Sequence, residues 1–153
     1  MKIGYIVIPF VVVAVALLGS VLTFMGMGWY KTISLPSWTP SGVFISVVWT
    51  VIFILSMISA LTVWNKLPRD NRFKWIEAVF IINAILNVAW TLLFFKLHLL
   101  GVSVWEAGFL GTSVVALMVL IWPKSRLAAL LLVPYVLWVS FATYLTYAVW
   151  VLN

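Results

Sequence analysis

Residues 75–95, WIEAVFIINAILNVAWTLLFF, decide the fold of this chain. An apolar run near the ~20 residues that a helix needs to cross a bilayer predicts a transmembrane helix, and the absence of period-2 alternation argues against a β-barrel strand. Asn83, Asn87 and Trp90 are spaced i, i+4, i+7 and therefore share one helix face. Amides are costly against lipid, so we expect this face to point into a helix bundle.

The rest of the composition extends this prediction to the whole chain. Of the 153 residues, 66% are hydrophobic and 8% are charged, which is typical of a protein whose solvent is the bilayer. The first apolar run is too long for the hydrophobic part of a signal peptide, so we interpret it as a retained helix. The sequence predicts an all-α membrane protein, a single integral membrane domain over residues 1–153 forming a five transmembrane helix bundle, with helices at about 4–26, 42–64, 75–95, 103–122 and 127–151.

The basic residues predict how the bundle is oriented. The formal net charge is +6, and the basic residues lie in short segments between spans, so we attribute them to membrane orientation and expect no nucleic-acid partner. One side carries only Lys31 and Lys96. The other side carries Lys2, Lys66, Arg69, Arg72, Lys74, Lys124 and Arg126. The positive-inside rule then predicts a cytoplasmic N-terminus and an external C-terminus.

The ten tryptophans fall into two groups by depth. One group lies at span ends or in the first loop, where an interfacial aromatic belt explains it: Trp29, Trp38, Trp64, Trp75, Trp105, Trp122 and Trp150. Trp49, Trp90 and Trp138 lie deeper, with Trp138 near the middle of its span and the other two displaced toward the external side. A buried indole needs a partner for its N–H group, and Asn83 and Asn87 are candidates.

Two interpretations of these deep polar and aromatic residues remain open. The asparagines either bridge neighbouring helices or line a ligand cavity in the external half of the bundle. We favour the cavity, because two amides and three deep indoles lie beneath one long loop. Its predicted ligand-binding residues are Trp49, Phe53, Asn83, Asn87, Trp90, Trp138 and Ala142.

The first loop is long for a compact bundle and is rich in proline and glycine. Its aromatic rings are placed to fold over the external end of the bundle as well as to mark the interface. We therefore expect this loop to cap the internal pocket, with Trp29, Tyr30, Pro36, Trp38 and Pro40 as the lid residues.

The chain is poorly supplied with groups for ordinary catalysis. It has no cysteine and one histidine, and neither metal-ligand spacing nor a nucleophile with a base is recognisable, so we expect no metal site and no required cofactor. His98 and Glu106 are expected to be solvated on the external rim. The predicted site suits a flat aromatic ligand, and a photoreactive ligand would place oxidisable indoles beside it.

The residues singled out above, with a few others, resemble the tryptophan-rich sensory protein or translocator protein family, once called the peripheral-type benzodiazepine receptor. The resemblance covers all but the first span. Its elements are Trp29-Tyr30, Leu35-Pro-Ser-Trp-Thr-Pro40, Val48-Trp49, Asn83, Asn87-Val-Ala-Trp90, Phe94-Phe95, Pro134-Tyr135, Trp138, Phe141-Ala-Thr143, Leu145, Tyr147 and Trp150.

The resemblance implies a five-helix bundle whose pocket opens toward the first loop. It implies tetrapyrrole ligands such as protoporphyrin IX, together with isoquinoline carboxamide and benzodiazepine drugs. Some bacterial members are associated with light-dependent porphyrin breakdown. If the resemblance extends to this activity, it implies Trp49 and Trp138 as the participants in this chain. A bacterial cell membrane and a homodimer are also implied; Ala107 and Gly111 give one small-xxx-small spacing, too weak to choose an interface.

Two further functions remain as alternatives. A transporter of porphyrins or similar small hydrophobic molecules is one, although the spans lack the charged interior residues and the repeats of common secondary transporters. A structural or partner-binding membrane protein is the other. Animal members end in a sterol-recognition pattern in which a basic residue follows the tyrosine. Here no Lys or Arg follows Tyr147, so sterol transport is not predicted.

Overall fold

The computed structural model describes residues 3–153, in which helices are joined by short linkers and no strand occurs. Its helices are α1 (Gly4–Tyr30), α2 (Gly42–Lys66), α3 (Asn71–Thr91), α4 (Leu100–Ile121), α5 (Arg126–Leu130) and α6 (Val133–Leu152). A π-helical turn, Leu92–Lys96, continues α3. Within this part of the chain five segments are long and apolar enough to cross a membrane, the third being Asn71–Lys96 and the fifth Arg126–Leu152. The predicted five-helix bundle is confirmed.

The spans form a closed ring. α1 packs against α2 and α3, α4 packs against α3 and α6, and α2 meets α5 and α6. The ring order is therefore first, second, fifth, fourth and third span. We call the end with the 31–41 and 97–99 linkers the loop end, and the end with the 67–70 and 122–125 linkers the basic end.

α1 packs closely against its neighbours near its two ends. A Cβ atom on Gly4 would overlap the indole of Trp64 on α2, and one on Gly26 would overlap the Phe95 carbonyl. These two glycines are the buried residues of α1, while the middle of the helix is less enclosed. Space is therefore left between the middle of α1 and the rest of the bundle.

The third span begins one turn earlier than expected and ends irregularly. The Asp70 carboxylate accepts a hydrogen bond from the Phe73 backbone N–H at 2.9 Å, which starts α3 at Asn71 rather than near residue 75. At the other end the Leu97 N–H bonds to the Leu92 carbonyl at 3.0 Å, which widens the last turn. This turn is the part of α3 into which Gly26 packs.

The fifth span is a broken helix rather than the continuous one expected over 127–151. α5 ends at Leu130, and α6 begins at Val133 with Pro134 in its first turn. Proline lacks an N–H group, and its ring clashes with the carbonyl four residues earlier, so an uninterrupted helix is disfavoured here. The break lies toward the basic end, and the parts on both sides of it contact α2 and α4.

Polar side chains bridge three spans in the interior. The Asn83 Nδ2 group donates to Ser113 Oγ at 2.8 Å, and the Tyr135 hydroxyl donates to Asn83 Oδ1 at 3.1 Å. Asn87 Nδ2 donates in turn to the Tyr135 hydroxyl at 2.9 Å. We call these four residues the polar bridge. All four are buried, so each hydrogen bond removes a group that would otherwise be unsatisfied in an apolar interior.

The predicted orientation is testable because the chain has no cysteine. We expect Ser37→Cys, in the first loop, to react with a membrane-impermeant maleimide added to intact cells. Asn71→Cys, at the basic end, is expected to react only after the membrane is permeabilised. Both positions are exposed, so accessibility depends on sidedness. The reverse labelling pattern would invert the topology.

The polar bridge predicts a stability difference between two tyrosine substitutions. Tyr135→Phe removes the hydroxyl shared by Asn83 and Asn87 and should lower the free energy of unfolding by about 0.5–2 kcal/mol. Tyr144→Phe is the matched control, because Tyr144 is 62% exposed. Unfolding in mixed micelles of increasing SDS content, followed by circular dichroism, measures both. Equal midpoints would show that the bridge contributes nothing.

The cap of α3 predicts a pH dependence. The Phe73 N–H bond and then the Lys124 ammonium, 3.3 Å away, hold the pKa of Asp70 below its ordinary value. Because the folded-state pKa is the lower one, ionised Asp70 stabilises the fold above about pH 4, and this contribution is lost as pH falls through the folded pKa. Asp70→Asn should flatten the decline of stability below about pH 4. Unfolding midpoints against pH measure this, and superimposable profiles for the two proteins would contradict it.

Candidate functional site

A cavity of about 490 Å³ lies inside the loop end of the bundle, which we call the loop-end cavity. Residues from α1, α2, α3, α4 and α6 line it, together with the π-helical turn. The structure brings together here six of the predicted ligand-binding residues: Trp49, Phe53, Asn87, Trp90, Trp138 and Ala142. Its volume lies within the ~300–1,000 Å³ typical of small-molecule sites.

Aromatic rings support the three indoles of the cavity wall. Trp90 stacks on Phe94, with centroids 5.0 Å apart and planes at 16°. Trp49 meets the Tyr135 ring edge-on at 5.9 Å. Trp138 leans on Phe141 at 5.3 Å. Each indole that faces the cavity is thus fixed by another ring, so the wall is pre-organised for a flat ligand.

Two of these indoles carry an N–H group without a partner. Trp90 Nε1 and Trp138 Nε1 are both buried, and neither has a hydrogen-bond acceptor among residues 3–153. A buried, unsatisfied donor costs about 1–3 kcal/mol. Both donors belong to the wall of one cavity, and a ligand acceptor there would recover this energy.

The asparagines divide between the two interpretations left open by the sequence. Asn83 is 8% exposed, takes part in the polar bridge, and does not line the loop-end cavity. Asn83 bridges helices and borders a second cavity nearer the basic end, and its predicted role in ligand binding stays a prediction. Asn87 does both, since it lines the loop-end cavity and donates to Tyr135.

The lid residues are placed differently from the expectation. Trp29 and Tyr30 belong to the last turn of α1, which runs on to Tyr30 instead of ending near residue 26. Tyr30 lines the loop-end cavity, whereas Pro36, Trp38 and Pro40 do not. Trp38 is 44% exposed. The first loop thus reaches the cavity only through other side chains.

Contacts with α6 position the first loop. Trp38 stacks on Tyr144 at 5.5 Å and meets Phe141 edge-on at 5.9 Å. Asn153 accepts from the Ser34 N–H at 2.8 Å and donates to the Ser34 carbonyl at 2.9 Å. The loop therefore crosses from α1 to α6, and Phe141 connects its Trp38 to the cavity residue Trp138.

Of the two polar residues expected on a solvated rim, His98 is exposed as predicted and Glu106 is buried. Glu106 is 7% exposed on α4, and neither carboxyl oxygen has a hydrogen-bond partner in the described part of the chain. The wrong prediction came from treating position near a span end as exposure, since α4 packs this face inward. His98 has φ +57° and stacks on Trp29 at 4.0 Å.

The small residues of α4 pack within the bundle. Ala107 is buried and lines the loop-end cavity, and a Cβ on Gly111 would contact Val139 of α6 at 3.4 Å. This small-xxx-small pair is therefore occupied inside one chain. Among residues 3–153 no three His, Cys, Asp or Glu side chains come together as a metal site would require.

Sequence reasoning missed several residues that shape the site. Tyr135 and Ser113 complete the polar bridge, and a polar side chain in mid-span is the pattern that would have indicated them. Leu110, Thr91 and Thr146 line the loop-end cavity. No periodicity in the sequence distinguishes these three from ordinary packing residues.

Comparison with known proteins agrees with this geometry. The sequence profile of the TspO/MBR family matches residues 6–151. Protein CrtK of Rhodobacter capsulatus is 36% identical over 82% of this chain and 78% of its own length. Tryptophan-rich protein TspO of Bacillus cereus is 29% identical over 100% of this chain and 99% of its own. The human Translocator protein is 29% identical, covering 82% of this chain and 75% of its own.

These matches confirm the resemblance seen in the sequence. The family profile runs through all five spans and therefore includes every element that lines the loop-end cavity. The profile spans most of the chain, and a relative above 30% identity covers more than two thirds of it. The protein is an integral membrane protein that belongs to the TspO/MBR family.

Proposed function

We propose that this protein binds tetrapyrroles, with protoporphyrin IX as the reference ligand, in the loop-end cavity. The observation that carries the proposal is the pair of unpartnered indole N–H groups of Trp90 and Trp138 in the wall of one aromatic cavity. A flat macrocycle with several acceptor atoms can stack on the rings and accept from these donors. Isoquinoline carboxamide and benzodiazepine drugs offer the same combination of flat rings and acceptors.

The acid groups of a porphyrin have basic partners close to this cavity. Tyr30 and Phe95 line it at the loop end, and the next residue in each case is a lysine, Lys31 or Lys96. A macrocycle oriented with its carboxylates toward the loop end would place them near these two cations. The apolar part of the ring would then lie deeper, against Trp49 and Phe53.

We further propose that the bound porphyrin undergoes light-dependent oxidation, with dioxygen as the oxidant. Trp49 and Trp138 are electron-rich indoles in the cavity wall and are the groups assigned to exchange an electron with the photoexcited macrocycle. The wall supplies no carboxylate, histidine or lysine among its described residues, so the proposal assigns no acid–base step to the protein. The protein needs no resident cofactor in this scheme, because the porphyrin is both chromophore and substrate.

The setting is proposed as a bacterial cell membrane, with the N-terminus cytoplasmic, the C-terminus external and the chain as a homodimer. The bias of basic residues toward one end supports the orientation. The dimer follows from the family alone. Ala107 and Gly111 are occupied within the chain, so another face would have to form the interface.

Transport of porphyrins or similar small hydrophobic molecules is the second candidate function. The observation in its favour is that the loop-end cavity and the cavity nearer the basic end share Val15, Phe53 and Asn87 in their walls. A passing molecule would have to displace the polar bridge. Flux into proteoliposomes above that into empty vesicles would support transport, and equal flux would exclude it.

The binding proposal predicts the effect of removing single N–H groups. Trp90→Phe and Trp138→Phe keep an aromatic ring but delete the donor, so each should weaken protoporphyrin IX binding about fivefold, the equivalent of one hydrogen bond. Trp105→Phe is the control, because Trp105 is 74% exposed and lines neither cavity. Absorption titration of purified protein in the dark measures all three dissociation constants. Unchanged affinity in both cavity variants would refute the assigned donors.

The photochemical proposal predicts that a variant can still bind protoporphyrin IX and yet fail to break it down in light. The double variant Trp49→Phe/Trp138→Phe should bind protoporphyrin IX more weakly but, at saturating protein, should stop the light-dependent loss of its absorption. Illuminated and dark samples of wild type, the double variant and Trp105→Phe provide the comparison. If wild type binds the porphyrin and forms no light-dependent product, the degradation claim falls while the binding claim stands.

A further inference from the structure

A second cavity, of about 310 Å³, lies between α1, α2 and α3 toward the basic end. We call it the basic-end cavity. Its wall is almost entirely aliphatic and aromatic, and Asn83 and Tyr135 border its inner end. The tetrapyrrole-binding function proposed above makes no use of this space.

The exposure of the lining residues locates the mouth of this cavity. On α1, Val7 and Val11 are 44% and 43% exposed, and on α3 Ile81 is 56% exposed. The lining residues on α2 are buried or half-buried. The cavity therefore opens sideways between α1 and α3, into the hydrocarbon of the leaflet at the basic end.

Polar groups follow one another inward from this mouth. The rings of Trp64 and Phe73 are 5.7 Å apart, so these two residues lie at a similar depth on α2 and α3 and serve as a depth reference. Glu77 is four residues inward of Phe73, which is roughly 6 Å at the rise of an α-helix. Ser56 is eight residues inward of Trp64, or roughly 12 Å. The Ser56 hydroxyl oxygen is buried and has no hydrogen-bond partner among residues 3–153.

The outermost groups lie at headgroup level. Trp75, 66% exposed, marks the membrane interface beside the mouth. Lys74 and Glu77 are spaced i, i+3, so their Cβ atoms lie roughly 5–6 Å apart on one helix face. A cation and an anion one turn apart match the phosphate and ammonium of a zwitterionic headgroup.

We propose that the basic-end cavity binds one phosphatidylethanolamine molecule from this leaflet. The lipid phosphate pairs with Lys74, and the ammonium bends back on its two-carbon linker to pair with Glu77, about one helical turn deeper. An ester carbonyl, which lies just below the headgroup, accepts a hydrogen bond from Ser56. The acyl chain fills the space along Val11 and Phe80, where an unfilled apolar void would forfeit packing contacts.

This occupant fits the wall better than the alternatives. Water is disfavoured, because it needs two to four polar partners and the wall is nearly all apolar. A phosphatidylglycerol headgroup has no ammonium to pair with the Glu77 carboxylate, so its negative charge is not offset there. Phosphatidylcholine carries a quaternary ammonium that has no N–H to donate to Glu77.

Native mass spectrometry of the full chain tests the proposal. The protein is released from micelles containing equal amounts of phosphatidylethanolamine, phosphatidylcholine and phosphatidylglycerol with identical acyl chains. We expect one phosphatidylethanolamine per chain to survive activation that strips the other lipids. Glu77→Gln should lower its retained fraction about two- to fivefold, the usual effect of losing one exposed ion pair. Val11→Trp, which fills the mouth, should abolish retention.

Controls separate this site from the loop-end cavity and from misfolding. Val119→Trp, at a position on α4 that is 66% exposed and lines neither cavity, should retain the lipid. Ile81→Trp blocks the mouth from the α3 side, and it replaces Val11→Trp as the test if that variant fails to fold. Protoporphyrin IX binding should be unchanged in both mouth variants, so the two proposals fail independently.

Several outcomes would overturn the assignment. Equal retention of the three lipids, or preference for phosphatidylglycerol, contradicts recognition of an ammonium. If Val11→Trp abolishes lipid retention and Glu77→Gln does not lower it, the assigned headgroup contact is wrong. A change in the dimer population without a change in lipid retention would make the α1–α3 face an interface between copies of this chain.

Discussion

The hydrogen bonds from Tyr135 to Asn83 and from Asn87 to Tyr135 are the constraint on which the interior depends. Lipid tails are as apolar as aliphatic side chains, so the hydrophobic effect cannot select one helix arrangement inside a bilayer. Directional bonds between α3, α4 and α6 do select one, because any sliding of these spans leaves amides unsatisfied in an apolar medium. The same bonds hold the ring of Tyr135 where Trp49 packs edge-on against it. The wall of the loop-end cavity is thereby anchored to the bridge that lies beside it.

The contrast between α1 and the other spans explains why space remains inside so small a bundle. α3, α4 and α6 are joined by polar bonds and close packing, whereas α1 makes its closest approaches at Gly4 and Gly26. Between these points its side chains border both cavities. α1 contributes no residue to the polar bridge, so an outward movement of α1 would leave the bridge intact.

The fold was largely predictable from the sequence, and the site was predictable in part. Five apolar runs and two asparagines on one face determine a bundle and its inner surface, because period and length are properties of each segment alone. The break before Pro134, the wide turn after Thr91 and the burial of Glu106 depend on which neighbours pack together. Asn83 shows the same limit. Its face was predicted correctly, but whether an inward amide meets Ser113 or a ligand is decided by a residue 30 positions away.

The loop-end cavity combines donors without acceptors and rings without acid–base groups, and this combination limits what it can do. Trp90 and Trp138 line this space and carry buried N–H groups without acceptors among residues 3–153, so affinity is expected for flat molecules that bring their own acceptors. The described wall holds no carboxylate, histidine or lysine that could move a proton in acid–base chemistry. Reactivity must then originate in the ligand, and the protein contributes orientation, exclusion of bulk water and oxidisable neighbours. Substituting an indole should therefore alter the fate of a photoreactive ligand far more than that of an inert drug in the same cavity.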